Sequence, residues 1–286
     1  MSNASSKSSA QPKGPYAGSG QDSWLERLPS SVLVGGSFLI LLATWEAVVV
    51  LGWVPELVLP RASSTAVALY NLLVDFATGG TVWVNYRVTL IQAALGLFFA
   101  GIIGFVIGAL IAETTFGRRV IQPYMVALYA APKVALAPIF VAWFGFGMTP
   151  KVVMAVTIAF FPVMVDTAAG LAGVDEDSDK LFATMRSNRW QRFFKLKLPN
   201  ALPFIFAGLK SAGVLALIGT LVGEFSGGGR GVGVLIETAS MRFNLDVVFA
   251  HVILLSTIAF ALYWAIDRIE ARVVFWRKSG FIPAES

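Results

Sequence analysis

The chain has 286 residues, 56% of them hydrophobic and only 14% charged, with a mean hydropathy of +0.72. Soluble domains carry roughly a quarter charged residues, so lipid is the expected solvent for much of this one. Lys and Arg outnumber Asp and Glu by 22 to 17, but the cations are scattered between long apolar runs without aromatic interleaving, which argues against a nucleic-acid partner. With no Cys and a single His, His251, the sequence offers neither a disulfide framework nor the ligands for a metal centre.

Residues 1–30 are rich in Ser, Gly, Gln and Pro, a composition that cannot bury enough apolar surface to offset ordering entropy. They are expected to form a disordered cytoplasmic tail. The apolar run that follows is span-length and lacks a clear small-residue cleavage site, so it is expected to stay in the protein. A helix rises about 1.5 Å per residue and needs about 20 residues to cross the hydrocarbon. Six stretches qualify: 32–54, 88–112, 120–144, 152–172, 201–224 and 247–273. The expected fold class is therefore an all-α polytopic membrane protein with six transmembrane helices. Its membrane domain covers 31–278 with one long loop at 173–200, and 279–286 form a short C-terminal tail.

Placing both termini inside puts Lys7, Lys13, Arg27, Arg118, Arg119, the basic residues of 173–200, and Arg268, Arg272, Arg277 and Lys278 on the cytoplasmic face. Only Arg61, Arg87, Lys151, Arg230 and Arg242 then fall outside, as the positive-inside rule requires. In the second span Gly96, Ala100, Gly104 and Gly108 recur every four residues, and Gly208, Ala212 and Ala216 do so in the fifth. Such stripes let helix backbones approach closely, and packing is the reading given to them.

The 173–200 loop is not a plain linker. Asp175, Glu176, Asp177 and Asp179 precede a basic, aromatic segment, an order that suits a helix whose N-terminus favours acids and whose later turns favour cations. Ser178 or Asp177 is expected to cap it. Arg186, Arg189 and Arg192 share one face and Phe182, Met185, Phe193 and Phe194 another, so the helix reads as amphipathic.

Ending in Leu196-Lys197-Leu198-Pro199 before the penultimate span, this loop resembles the EAA loop of binding-protein-dependent ABC importer permeases. The wider pattern is similar to the nitrate, sulfonate, taurine and bicarbonate permeases: Trp45-Glu46, Leu59-Pro60, Pro132, Pro138, Trp143-Phe144-Gly145, Phe161-Pro162, and 227–233 after Glu224. The resemblance implies a type I ABC importer-like permease fold, N-in and C-in, in the bacterial inner membrane. It implies that the loop helix docks in a cleft of an ABC ATPase subunit dimer, with Ala183, Arg186, Ser187, Arg189, Trp190, Gln191, Leu198 and Pro199 as coupling residues. A second permease copy, as homodimer or paralogue, and a periplasmic or lipid-anchored solute-binding protein complete the implied assembly. Its cargo would be a small solute such as nitrate, a sulfonate, taurine, bicarbonate or a cofactor precursor.

The sequence departs from that pattern where Glu-Ala-Ala and then Gly are usual, carrying Lys180, Leu181, Phe182 and Arg186 instead. Gly permits backbone conformations that Arg largely does not, so the turn at Arg186 is left open. No G-x-x-x-x-G-K-[ST] motif occurs, so the chain is expected to bind no cofactor and to rely on ATP used by a partner subunit; it is not expected to be an enzyme.

Four ionisable residues fall inside the spans, where each is a functional candidate by default: Glu46, Lys133, Asp166 and Lys210. Glu46 and Lys133 lie at similar depths, about 20 Å from the cytoplasmic ends of their spans, and Asp166 and Lys210 at roughly 9–14 Å, so two cross-span ion pairs are geometrically possible. Pro132 and Pro138 interrupt the third span, and a broken helix is tolerated in lipid only where protein covers it or it lines a cavity. Lys133 is thus the leading residue for a translocation pathway, where its ammonium would attract an anion; a structural ion pair or a snorkelling lysine is the alternative. Glu224 precedes a Gly-rich turn and reads either as part of a gate or as a solvated span end. His251 reads as a packing residue in preference to a proton relay. An ion-gradient-driven secondary transporter is the main rival, and the amphipathic loop and the absence of a visible inverted repeat weigh against it. An intramembrane enzyme would need a nucleophile and base in reach of one another, and no such constellation is present.

Overall fold

The computed structural model describes residues 29–276. The expected tails at 1–28 and 277–286, with Lys7, Lys13, Arg27, Arg277 and Lys278, lie outside the described residues. Every regular element among the described residues is helical, and the chain divides into two units at Val54 and Pro55. The first unit contains α1 (Ser30–Val50), apolar all around its circumference and long enough to cross a membrane, with Glu46 on it.

The second unit begins with α2 (Ala62–Ala77), too short to span, which packs against the later helix α11 and against α3. Helix α3 (Thr81–Glu113) starts well before the expected residue 88. After it the chain folds back sharply, and a methyl group at Gly117 would lie 2.0 Å from the Leu110 carbonyl oxygen, so only Gly fits. A π turn at Gly117–Ile121 leads into α4 (Gln122–Ala130), and a 3-10 turn at Lys133–Leu136 leads into α5 (Ala137–Phe144). The span expected over 120–144, with an interruption at its prolines, is broken once, and the two halves bend by 86°. The cause is local. Ala131 is extended (φ −66°, ψ 143°), as the Pro132 ring requires of the residue before it, and Pro138 sits in the first turn of α5 where its missing N–H costs nothing.

Next come α6 (Met148–Ala172), the loop helices α7 (Glu176–Thr184) and α8 (Arg189–Arg192), the long α9 (Leu198–Gly227), α10 (Val232–Met241) and α11 (Leu245–Val273). Helix α6 lies between α3 and α9, and the small-residue stripes are what bring them together. A methyl group at Gly96 would lie 2.5 Å from Ala155 Cβ, one at Gly104 2.7 Å from Val163 Cβ, and one at Gly108 2.8 Å from Thr167 Cβ. Ala100, Ala159, Val163, Ala212 and Ala216 form the buried centre of the trio. In lipid, where apolar burial supplies little drive between helices, this dense van der Waals contact is the main attraction.

These contacts also settle how the chain crosses. Along α3 and α6 they advance in the same direction, so the two helices are parallel. Along α6 and α9 they run oppositely, Gly170 meeting Ala201, Gly208 meeting Val163 and Gly223 meeting Lys151. Parallel α3 and α6 require the chain between Glu113 and Met148 to return from one end of the bundle to the other. The bent α4–α5 pair makes that return and counts as a span, giving six apolar spans with α1.

Candidate functional site

The 173–200 loop forms two helices where one amphipathic helix was expected. The cap of α7 is Asp175, not Ser178 or Asp177: its Oδ2 accepts from the Ser178 backbone N–H at 3.1 Å and from the Ser178 hydroxyl at 3.2 Å. Glu176, Asp177 and Asp179 fill the first turn, where the exposed N–H groups favour negative charge. The helix ends in a left-handed turn at Arg186, φ +54°. The Arg186 N–H donates to Ala183 O at 3.0 Å and the Ser187 N–H to Phe182 O at 3.2 Å, the paired bonds of a Schellman ending, and the Ser187 hydroxyl adds a third bond to Phe182 O at 2.6 Å. Arg186 therefore occupies the position Gly usually takes and adopts the conformation Gly would. The reversal also places it apart from Arg189 and Arg192, which belong to α8.

Helix α8 opens with a reciprocal cap. Asn188 Oδ1 accepts from the Gln191 N–H at 2.7 Å, and Gln191 Oε1 accepts from the Asn188 N–H at 2.9 Å. It then continues through a π turn at Phe193–Lys197 into α9, so that Arg189–Gly227 runs as one 39-residue apolar helix. The π turn precedes Pro199 for a steric reason: a ring at that position would strike the carbonyl one α-turn back, and the wider turn displaces it. Two ion pairs fix the loop. Arg192 forks onto Asp179, with Nε to Oδ1 at 3.0 Å, and Lys197 Nζ bonds both oxygens of Glu113 at 2.8 and 2.9 Å. Between them Arg189, Arg192, Lys197 and Glu113 line an open polar cavity of about 420 Å³. Trp190 and Met185 are about 70% exposed (71% and 70%), and the Trp190 ring stacks on Phe194 at 5.8 Å.

The charges within the spans are placed differently from expectation. Lys210 does not pair with Asp166; its Nζ lies 2.8 Å from Asp267 Oδ1 and 2.7 Å from Glu270 Oε2, tying α9 to α11. Both partners lie inside the last expected span, 247–273, about one helix turn apart, but near its cytoplasmic end, and depth arithmetic confined to Glu46, Lys133, Asp166 and Lys210 could not find them. Asp166 sits on α6 with its Cβ against the backbone of Gly208. Lys133 lies at the break, donates to Tyr129 O at 2.7 Å, and sits 4.6 Å from the centres of both the Tyr129 and Phe161 rings. Glu46 belongs to the first unit. His251 is buried and in contact with the Tyr86 hydroxyl, 3.2 Å from Nδ1, as a packing residue would be.

At the end of the bundle where α3 and α6 begin, Glu224 is fully buried, so the solvated-span-end reading is excluded. Its Oε1 accepts from the Thr89 hydroxyl at 2.7 Å and its Oε2 from the Gly233 N–H at 2.7 Å. The Thr89 oxygen in turn accepts from the Val232 N–H at 2.9 Å, and Asn85 Oδ1 accepts from the Gly231 N–H at 2.8 Å. Lys151, buried at 3% exposure, donates to Gly228 O at 2.7 Å and Arg230 O at 3.0 Å. Asn85 and Thr89 went unnoticed in the sequence because only ionisable groups were sought; their spacing of four puts both polar groups on one face of a span, which was the available signal.

A bundle of broken and unbroken apolar spans, with a loop helix running directly into one of them, defines a polytopic membrane protein. The chain belongs to the family of binding-protein-dependent transport system inner membrane components, the permeases of ABC importers, which it matches over residues 100–275. It is 32% identical over 249 residues to a probable ABC transporter permease protein of Haemophilus influenzae, covering 87% of this chain and 98% of that one. A riboflavin transport system permease of Chloroflexus aurantiacus is 31% identical, with 85% and 89% covered. Among solved structures, a chain of the MetNI methionine ABC transporter in an inward-facing form shares the fold at a TM-score of 0.59 and 20% identity, with 66% of this chain and 94% of that one covered.

Proposed function

We propose that this chain is the solute-conducting half of a bacterial inner-membrane importer, with both termini cytoplasmic. A second copy sits opposite it, an ATPase dimer holds residues 173–200, and an external binding protein delivers the solute. The observation that carries this reading is the continuity of α8 with α9. Trp190 and Phe194 present an exposed apolar ridge at a loop, where solvated residues are the rule, and such a ridge fits a partner's groove. A partner closing on α8 moves a span directly, since no flexible joint lies between Arg189 and Gly227.

The solute proposed is a small anion. Relatives are named for aliphatic sulfonates (Bacillus subtilis) and nitrate (Leptolyngbya laminosa), and Lys133 brings a cation to the break in α4–α5 at membrane depth. The reading is tested by Arg189→Ala with Trp190→Ala in vesicles carrying the whole importer. ATP hydrolysis should persist while uptake is lost; full uptake in the double variant overturns the docking.

A further inference from the structure

The Gly-rich turn at 228–233 was read as a flexible element suited to a gate, and its partners argue the opposite. Its backbone is held by four side chains from three helices: Lys151 on α6, Asn85 and Thr89 on α3, and Glu224 on α9. Val232 and Gly233 contribute the first N–H groups of α10, which have no acceptor within their own helix, so α10 is capped entirely by α3 and α9. The glycines are sized to this arrangement. Gly231 has φ +144°, and a methyl group there would fall 2.0 Å from Glu224 Oε1; one at Gly233 would fall 2.9 Å from Glu224 Cβ. Pulling α6 away leaves the backbone carbonyls of Gly228 and Arg230 without Lys151, and pulling α3 away leaves the buried Glu224 without Thr89; either breaks hydrogen bonds to a buried charged group, a costly separation.

The α4–α5 segment is built in the opposite way. It is broken by 86° at Ala131–Pro132, and beyond α5 it meets Gly145 (φ +73°) and Gly147 (φ +141°), neither with any atom within 4 Å of the missing Cβ. Helix α5 beyond the break is seated, with Ala137 and Phe140 buried against Met154 of α6, but α4 before it has no buried residue. A helix held so lightly and joined through a proline break can move; a turn bolted to three spans cannot.

We propose that Glu224 and Lys151 are positioning residues for transport: they fasten the outer ends of α3, α6, α9 and α10 into one body that moves as a unit through the cycle, so that access alternates by movement of α4 about the Ala131–Pro132 break. This rests on the importer reading, which supplies the cycle. The chain has no Cys, so single thiols report without background. Val232 is 0% exposed and Val134, next to the break, is 61% exposed. In the whole importer, a charged methanethiosulfonate should leave a Val232→Cys thiol unlabelled both at rest and when trapped with ATP and vanadate. The labelling rate of a Val134→Cys thiol should differ between those states by about fivefold or more, the lower end of common two-state coupling.

Combining Val232→Cys with Glu224→Ala should expose the thiol and lower solute-stimulated ATP hydrolysis to its basal rate. Glu224→Gln, which keeps an acceptor for Gly233 and a polar contact for Thr89, should restore both. If the Ala variant does not fold, Thr89→Val makes the same test by removing only the hydroxyl. Labelling of the Val232→Cys thiol in the trapped state of the otherwise unaltered chain overturns the proposal, as does an unchanging Val134→Cys rate. Failure of the importer reading looks different: ATP-driven uptake is absent while Glu224-dependent protection of Val232→Cys remains.

Discussion

Replacing Arg186 by Gly should stabilise the loop, whose turn this Arg completes at a conformational cost. The residue holds φ +54° with both Schellman bonds formed. A side chain in the left-handed region costs about 1–2 kcal/mol through crowding of Cβ against the carbonyl, and Gly removes that cost. Gly also gives the unfolded loop more freedom, which takes back about 0.5–1 kcal/mol. The net gain is about 0.5–1 kcal/mol, or roughly two- to fivefold in the closed-to-open ratio of the turn. Hydrogen exchange at the Arg186 and Ser187 amides measures that ratio, because both donate within the turn. Arg186→Gly should slow exchange at Ser187 by this factor, while Arg186→Ala, which keeps Cβ and drops the charge, should leave it nearly unchanged. Equal slowing in both variants would place the effect in the guanidinium and refute the backbone argument.

Three further outcomes follow from the packing and the charges. Gly104→Ala puts a methyl group 2.7 Å from the Phe160 carbonyl oxygen and from Val163 Cβ, and should lower the yield of monodisperse protein through about 1–3 kcal/mol of overpacking; Gly35→Ala, with open space around it, should not. Lys210→Met strands Glu270, whose side chain is 17% exposed, and should lower the thermal midpoint in detergent by several degrees, with partial recovery on adding Glu270→Gln. The half-exposed Asp267 side chain, at 49%, can rehydrate and limits the loss. Lys133→Met should reduce uptake of an anionic solute while leaving basal ATP hydrolysis and the thermal midpoint unchanged; a fall in all three would mark the lysine as structural.

Spans were legible because crossing a membrane demands length and apolarity, both written in the local sequence. The small-residue stripes were legible for a related reason, since Gly96, Gly104 and Gly108 can only serve close approach in a lipid-facing chain. Partners were not. Asp267 and Glu270 reach Lys210 from a helix 57 residues away at its nearest bond, and nothing in the spacing of Asp166 argues against the wrong choice. The Arg186 turn was legible as a departure from pattern but not in outcome, because the hydrogen bonds of a Schellman ending can hold a strained residue that propensity alone would reject.

The parallel run of α3 and α6 joins the two halves of the functional argument. Had these helices been antiparallel, α4 and α5 could have formed a hairpin on one surface, and the 86° bend would have been a re-entrant loop with no bearing on passage. Because they are parallel, the broken pair must carry the chain from one end of the bundle to the other, and its break with Lys133 lies between those ends. The same geometry puts Asn85, Lys151 and Glu224 at one end and the Glu113–Lys197 pair at the other. One end of the trio is thus fastened around a buried carboxylate, while the other connects through α8 to an exposed ridge. On the proposed importer reading, a pull on α8 therefore reaches the fastened trio, and α4, which has no buried residue, is the part left to answer it.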